Sequence, residues 1–396
     1  MKKQTIRDID LKNKKVIIRV DFNVPLDKSL KITDDRRIRA ALPTIQYALE
    51  QKAAKVILMS HLGRPDGQVE EDARLTPVAQ QLEKLLGQKV LKLDDCIGPQ
   101  VKEAVQKSSE KVILLENLRF HKGETKNFPD FAKELASLAD IYVNDAFGTA
   151  HRAHASTEGV TKHLPSVAGF LLEKEVDYLS KAIDNPQKPL VVILGGAKVS
   201  DKIMLIENLL GRADAILIGG GMAYTFLKAQ GKSIGNSKLE ADKVETAKTI
   251  LEKAKQAKVN ILLSEDFVIT REFEKPQERK IAAGEIADGW MGVDIGPETR
   301  KKFKDVLATA KTIVWNGPVG VFEINEYAEG TREIAEFVSR LKGVTSIVGG
   351  GDTAAAVGKF NCEAGMTHIS TGGGASLEFL EGKELPGVKA LLNKSI

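Results

Sequence analysis

The chain has 396 residues, 42% of them hydrophobic, 28% charged and only 5% aromatic. This is the profile of a folded globular protein with room for two to three domains of roughly 150 residues, and it excludes disordered and fibrous classes. Lys and Arg number 58 against 54 Asp and Glu, a net charge of +4 that is too small to argue for nucleic acid. No apolar run approaches the roughly 18 residues of a membrane span. The two cysteines, Cys96 and Cys362, are too few for a disulfide scaffold or a cysteine-based zinc site. The first residues carry charge and no apolar signal core, so a reducing, cytoplasmic compartment is expected.

Short apolar, often β-branched runs alternate along the chain with helix-period segments. Strands are predicted at 16–20, 56–59, 112–115 and 141–143, then at 190–194, 215–218, 261–263, 312–315, 346–348 and 368–370. Helices are predicted at 36–50, 77–86, 131–139, 171–183, 201–210, 241–256, 297–310 and 331–341. Continuous apolar runs imply strands buried on both faces, and the alternation implies parallel sheets in an α/β architecture. Ten strands are many for one sheet. The polar, twice-proline stretch Asp184-Asn185-Pro186-Gln187-Lys188-Pro189 marks a break. The expected division is a first domain over 1–170, a connecting helix over 171–185 and a second domain over 186–384.

Ligands of open parallel sheets bind at the carboxyl ends of the strands. In the first half those ends carry Asp21-Phe22-Asn23, Ser60-His61-Leu62-Gly63-Arg64, Glu116-Asn117-Leu118-Arg119 and Asn144-Asp145, followed by His151-Arg152-Ala153-His154. Arg37 opens the helix after the first loop. Guanidinium groups at one sheet edge are costly unless an anion compensates them, and their planar forks suit carboxylate and phosphate. The bland alternative pairs each arginine with an acid such as Asp21, Asp145 or Glu116. A pocket for a small, multiply anionic metabolite is the sharper reading, since one sheet edge makes a pocket rather than a DNA-binding stripe. His61, His151 and His154 also raise a zinc reading, but no H-E-x-x-H pattern or cysteine partner accompanies them.

In the second half the strand ends are glycine-rich: Gly195-Gly196-Ala197-Lys198, Gly219-Gly220-Gly221, Asn316-Gly317-Pro318, Gly349-Gly350-Gly351-Asp352-Thr353 and Gly372-Gly373-Gly374. Glycine lets the backbone approach a ligand, and a helix starting after the loop favours phosphate. Lys198 and Lys202, four apart, share a face if a helix has begun there. Asp352 either holds Mg²⁺ or caps a helix. A P-loop is absent: Gly231-Lys232-Ser233 lacks its first glycine, since position 226 is Phe226. A loose G-x-G-x-x-A at Gly349, Gly351 and Ala354 leaves a nicotinamide dehydrogenase of Rossmann type as the alternative.

Together these segments resemble phosphoglycerate kinases over essentially the whole chain. The carriers are Arg19-Val20-Asp21-Phe22-Asn23-Val24-Pro25, Ser60-His61-Leu62-Gly63-Arg64-Pro65, Gly195-Gly196-Ala197-Lys198-Val199-Ser200-Asp201-Lys202, Trp315-Asn316-Gly317-Pro318-Val319-Gly320-Val321-Phe322-Glu323 and Gly349-Gly350-Gly351-Asp352-Thr353. The resemblance implies two doubly wound, Rossmann-like parallel-sheet domains separated by a cleft, joined by a helix, with 385–396 returning to the first. It implies reversible, Mg²⁺-dependent phosphoryl transfer between 1,3-bisphosphoglycerate and ADP, giving 3-phosphoglycerate and ATP. The enzyme would be a monomer with small-molecule partners, away from nucleic acid and membrane.

By motif, Asp21, Phe22, Asn23, Arg37, His61, Leu62, Gly63, Arg64, Arg119 and Arg152 would bind the glycerate. Gly196, Lys198, Lys202, Gly220, Gly221, Gly292, Asn316, Pro318, Glu323, Gly350, Gly351, Asp352 and Thr353 would serve the nucleotide, with the metal on Asp352. Arg37, Lys198 and the amides of Gly372 and Gly373 would be catalytic. The resemblance selects Arg37, not Arg36, because the substrate arginine precedes the isoleucine.

Overall fold

The computed structural model describes residues 2–394; Met1, Ser395 and Ile396, which end the expected first domain and return segment, lie outside the described residues. The chain folds into two compact units. One runs up to Asp177 and resumes at Glu384; the other is Tyr178–Lys383.

The first unit is built on six strands: β1 (Lys15–Arg19), β2 (Lys55–Met59), β3 (Val90–Lys92), β4 (Val112–Leu114), β5 (Ile141–Asn144) and β6 (Ser166–Ala168). They form one parallel sheet in the order β3-β4-β2-β1-β5-β6. Every residue from Val16 to Ile18 and from Val56 to Met59 is buried and apolar, which is why these strands read as continuous runs rather than alternation. β3 and β6 are absent from the expected strands: Val90-Leu91-Lys92 and Ser166-Val167-Ala168 each include a polar residue, so neither forms an unbroken apolar run like β4.

The helices of this unit are α1 (Arg36–Glu50), α2 (Thr76–Leu86), α3 (Pro99–Lys107), α4 (Lys122–Thr125), α5 (Pro129–Ala136) and the start of α6 (Phe170–Ile183). In α1 the buried residues Ile38, Ala41, Ile45 and Ala48 recur at steps of three and four and face the core of the sheet. The unit boundary, Asp177/Tyr178, falls inside α6. The start of α6 is tied to β5, because the Asp145 carboxylate accepts the Leu171 N–H at 2.8 Å.

The second unit contains β7 (Leu190–Leu194), β8 (Ala215–Ile218), β9 (Asn260–Leu263), β10 (Asp266–Thr270), β11 (Lys280–Ala283), β12 (Met291–Ile295), β13 (Thr312–Asn316), β14 (Thr345–Gly349) and β15 (His368–Ile369). Six of them form a parallel sheet in the order β15-β14-β13-β7-β8-β9. The other three form an antiparallel sheet, β11-β10-β12, which the sequence did not announce. β11 is largely exposed, Gly292 and Asp294 break up the apolar pattern of β12, and β10 begins on Asp266 directly after Ser264 and Glu265, so this region reads as loop. The helices are α7 (Ile203–Leu209), α8 (Gly220–Ala229), α9 (Val244–Gln256), α10 (Pro297–Leu307), α11 (Glu329–Arg340), α12 (Gly351–Lys359) and α13 (Gly374–Leu380).

In each parallel sheet the chain starts centrally, winds outward one way and then resumes on the other side of its first strand. Right-handed crossovers in two directions place helices on both faces. The reversal falls between β1 and β5 in the first unit and between β7 and β13 in the second. These are the switch points where open parallel sheets bind ligands.

The last helix, α14 (Pro386–Lys389), belongs to the first unit. Asn144 donates to Gly387 O at 3.0 Å, Leu392 N donates to Ser166 O at 2.9 Å, and Lys3 bridges Asn393. No helix among the described residues is long and apolar enough to cross a membrane.

Candidate functional site

In the first unit the loops after β1, β2 and β4 are pinned to one another by hydrogen bonds to their backbone. Asn23 Oδ1 accepts Gly63 N–H at 2.9 Å, Ser60 Oγ accepts Phe22 N–H at 2.9 Å, and Asn117 Nδ2 donates to Leu62 O at 2.7 Å. Phe22 and Leu62 are buried, so their side chains build the core and only their backbone is available to a ligand.

The arginines divide by partner. Arg37 Nη1 donates to Asp21 Oδ2 at 2.7 Å. Arg119 Nη1 donates to Gly63 O at 2.9 Å, while its buried Nε has no partner. Arg64 and Arg152 are exposed and form no ion pair among the described residues. Pairing of a site arginine with an acid therefore occurs once. Glu116 is held instead by Arg74 and Lys92, and Asp145 by the start of α6. Burial, and then the charges of Arg19 and Arg64, push Arg119 below its usual range. That excess of cations is what a polyanion would relieve.

His61 lies buried in the same cluster, its Nδ1 3.1 Å from Arg19 Nη2. Burial, followed by Arg19, Arg119, Arg37 and His154, holds it well below the usual histidine range, so the ring is neutral at pH 7. Arginine can only donate, so Nδ1 accepts and the ring hydrogen sits on Nε2. Burial, then Arg119, Arg19 and Arg152, push His154 down to about 4. The three histidines do not gather into a ligand set. Among the described residues the group close enough for that is Asp95, Cys96 and His121, where His121 Nε2 and Asp95 Oδ1 already bond at 2.6 Å.

In the second unit the loops after β7 and β13 interlock. Gly195 N donates to Asn316 O at 3.1 Å and Gly196 N to Pro318 O at 2.9 Å. A Cβ on Gly317, whose φ is +101°, would stand 2.2 Å from Gly195 O, so only glycine permits this approach. Thr353 is buried and its Oγ1 accepts Gly317 N–H at 2.7 Å, linking α12 to the same loop.

A cavity of about 320 Å³ results, lined among others by Lys198, Lys202, Asn316, Gly350, Asp352 and Gly373. A second cavity of about 590 Å³ shares Gly196, Pro318 and Asp352 with it and extends to Gly220, Gly221, Gly292 and Glu323. Its walls are apolar, from Tyr224, Phe273, Met291 and Val321. Those four do not stand out in the sequence, because a wall residue and a core residue look alike there.

Two expectations for this unit are corrected. Lys198 and Lys202 do not share a helical face, since α7 begins only at Ile203. Ser200 is drawn to Glu240, Oγ to Oε1 at 2.6 Å and N to Oε2 at 3.1 Å, and this keeps the segment out of the helix. Asp352 is not a helix cap: Gly350 holds that position, and the Asp352 carboxylate has no hydrogen bond or ion pair among the described residues. Lys202 Nζ donates to Asn316 Oδ1, and burial lowers its pKa despite the opposing charges of Asp201, Glu381 and Asp352. Asn316 Nδ2 is buried without a partner. The Gly372 N–H donates to Ser370 Oγ at 3.1 Å, whereas Gly373 lines the cavity.

The family model described as phosphoglycerate kinase matches residues 6–383. Phosphoglycerate kinases of Pseudothermotoga lettingae and Moorella thermoacetica are 57% and 56% identical to the chain, with all of each chain covered. Among solved structures, the phosphoglycerate kinase of Coxiella burnetii is 46% identical with a TM-score of 0.90, and that of Pyrococcus horikoshii 35% with 0.80; each comparison covers 98% of both chains. With a cluster of arginines and histidines at one switch point, a glycine-lined cavity at the other and this likeness along its length, the chain belongs to the phosphoglycerate kinase family.

Proposed function

We propose that the chain is a phosphoglycerate kinase, transferring a phosphoryl group reversibly between 1,3-bisphosphoglycerate and ADP. The observation that carries the reading is the cation excess of the first unit, where Arg37 alone of four site arginines meets a carboxylate. Phosphoglycerate supplies the missing negative charge. The nucleotide belongs to the second unit, with its base against the apolar walls of the larger cavity and its phosphates toward Lys198, Lys202 and the start of α12. The dehydrogenase alternative finds no support, since neither the lysines nor the basic pocket serves a hydride transfer.

In the ATP-consuming direction the acceptor is a carboxylate with a pKa near ~3.5, already ionised at pH 7. No general base is needed, so catalysis reduces to positioning and neutralisation of charge. Lys198 is exposed at the cavity and free to follow the phosphoryl group; Lys202, anchored on Asn316, holds a fixed phosphate. Arg37 orients the acceptor carboxylate, with Asp21 holding the guanidinium in place. The Gly373 amide assists at the cavity wall; Gly372, whose amide is engaged, acts by shaping the loop.

Asp352 suits Mg²⁺, which takes one or two carboxylates together with substrate phosphates: its carboxylate borders the cavity and no protein group claims it. When bound, the metal supplies neutralisation of the nucleotide phosphates. The ligands belong to different units, so transfer requires hinge motion, which we assign to 171–189 and the return near Leu385. The reading includes a monomer in the cytoplasm, acting on small molecules without nucleic acid or membrane. A coupled assay with 3-phosphoglycerate, Mg²⁺ and ATP tests it. ADP is expected to form only when 3-phosphoglycerate is present, and folded protein that forms none under those conditions would refute the reading.

A further inference from the structure

Beneath the basic pocket lies a chain of buried polar groups that phosphoryl transfer itself does not use. Arg19, at the end of β1, is fully buried. Among the described residues it forms no ion pair. Its Nη1 donates to Val20 O, its Nε to Ser156 Oγ at 2.8 Å, and its Nη2 to His61 Nδ1 at 3.1 Å. Ser156 is buried too; its Oγ donates onward to Glu124 Oε1 at 2.6 Å, and its N–H donates to Glu124 Oε2 at 3.0 Å. Glu124, from the single turn of α4, is as deeply buried as Arg19. Tyr142 fixes the segment by donating to Ser156 O at 2.8 Å.

A buried charge is costly unless an opposite charge and hydrogen bonds compensate it. Here the carboxylate and the guanidinium compensate each other through one hydroxyl. The direction of each bond is then determined. Glu124 Oε2 accepts the Ser156 N–H, and Oε1 takes the hydroxyl hydrogen of Ser156. That leaves the Ser156 lone pairs for Arg19 Nε–H. Arg19 can only donate, so His61 Nδ1 must accept. We propose that Glu124 is a positioning residue for the phosphoglycerate pocket: through Ser156 it holds Arg19 against His61 Nδ1 and so commits the His61 hydrogen to Nε2. The ligand in this statement rests on the phosphoglycerate kinase reading; the wiring does not. A pocket for a polyanion needs donors, and this relay makes a neutral histidine present one.

The test compares the full-length protein with Glu124→Gln and Ser156→Ala. Glutamine keeps the shape of Glu124 but turns a donor toward Ser156 N–H or Oγ. Alanine leaves Glu124 in place and cuts the relay. Nitrogen-15 NMR of the His61 ring is expected to show hydrogen on Nε2 alone in the parent and a mixture of tautomers in both variants. The KM for 3-phosphoglycerate is expected to rise about tenfold, as for a weakened hydrogen bond to a charged group, with the KM for ATP and kcat within about threefold. Hydrogen on Nδ1 in the parent overturns the proposal. So does an unchanged tautomer in folded variants, or an equal rise in both KM values with a lowered Tm, which marks a purely structural role. If Glu124→Gln fails to fold, Ser156→Ala decides by the same readouts. Should the parent show no activity with 3-phosphoglycerate, the functional reading fails, while the tautomer still decides the wiring.

Discussion

Asp21 and Arg37 come from different elements, the loop after β1 and the first turn of α1, and meet at 2.7 Å. The adjacent Arg36 turns outward to Asp34 at 2.6 Å, with two-thirds of its side chain in solvent. One residue step along a helix rotates the side chain by about 100°, so the two arginines cannot exchange roles. Arg37→Ala is therefore expected to lower kcat/KM at least about 100-fold, and Arg36→Ala to leave it within about twofold. Steady-state kinetics of the two variants check this, and the opposite ranking would move the substrate arginine by one position.

The two lysines of the second unit are expected to separate in the same assay. Lys198 is exposed and has no hydrogen bond or ion pair among the described residues, so Lys198→Ala should reduce kcat at least about 100-fold while ADP affinity stays within a few-fold. Lys202 is part of the resting structure through Asn316. Its removal should weaken ADP binding and lower Tm as well. Calorimetric titration with ADP alongside kcat distinguishes the two patterns.

Gly317→Ala places a methyl group 2.2 Å from Gly195 O at a φ of +101°. The cost should be about 1–3 kcal/mol of stability, together with weakened nucleotide binding. Gly211→Ala, where an added Cβ meets nothing within 4 Å, serves as the control and should be near neutral. Equal denaturation midpoints for the two variants would contradict the interlock.

Asp145 supplies a pH dependence with a definite sign. Burial raises its pKa from 3.8 to about 7 against the opposing bonds from Thr44, Leu171 and Leu172. The folded state then holds a proton that the unfolded chain has already lost, so the contribution is complete below about pH 4 and disappears as pH rises to 7. It is on the order of 4 kcal/mol across that window. His61 and His154, whose pKa values are lowered, act oppositely and cost stability as pH falls below 6.5. Asp145→Asn isolates the first effect: denaturant midpoints measured from pH 4 to 8 should show the parent losing stability relative to the variant as pH rises. A parallel pair of curves would contradict it.

Cys96 and Cys362 are both free and buried, and burial raises both thiols above their usual range. A thiol reagent should label the native protein slowly at both positions and rapidly once denatured. Fast labelling of Cys96 in the native state would show that its cover opens readily.

Much of the scaffold was legible because both parallel sheets are covered on two faces, which forces runs such as Leu190–Leu194 to be apolar throughout. α1 was legible to the residue, since its buried positions follow the helical period. β3, β6 and the antiparallel sheet were not, being interrupted by polar residues or exposed. Among site residues, those carried by glycine, lysine or arginine at strand ends stood out. Glu124 and Ser156 did not, because a carboxylate on a single helical turn resembles any solvated acid until the fold buries it.

The order of residues alone determined the α/β class, the division of charge and glycine between the halves, and the family resemblance, since all three depend on composition and spacing along the chain. Tertiary structure decided which arginine meets Asp21, where α7 begins, and that Arg19 and Glu124 compensate each other through Ser156. Those relations join residues far apart in sequence, 137 positions for Arg19 and Ser156. Packing, not local propensity, selects such partners: a buried charge is stable only where the rest of the chain has folded its complement beside it.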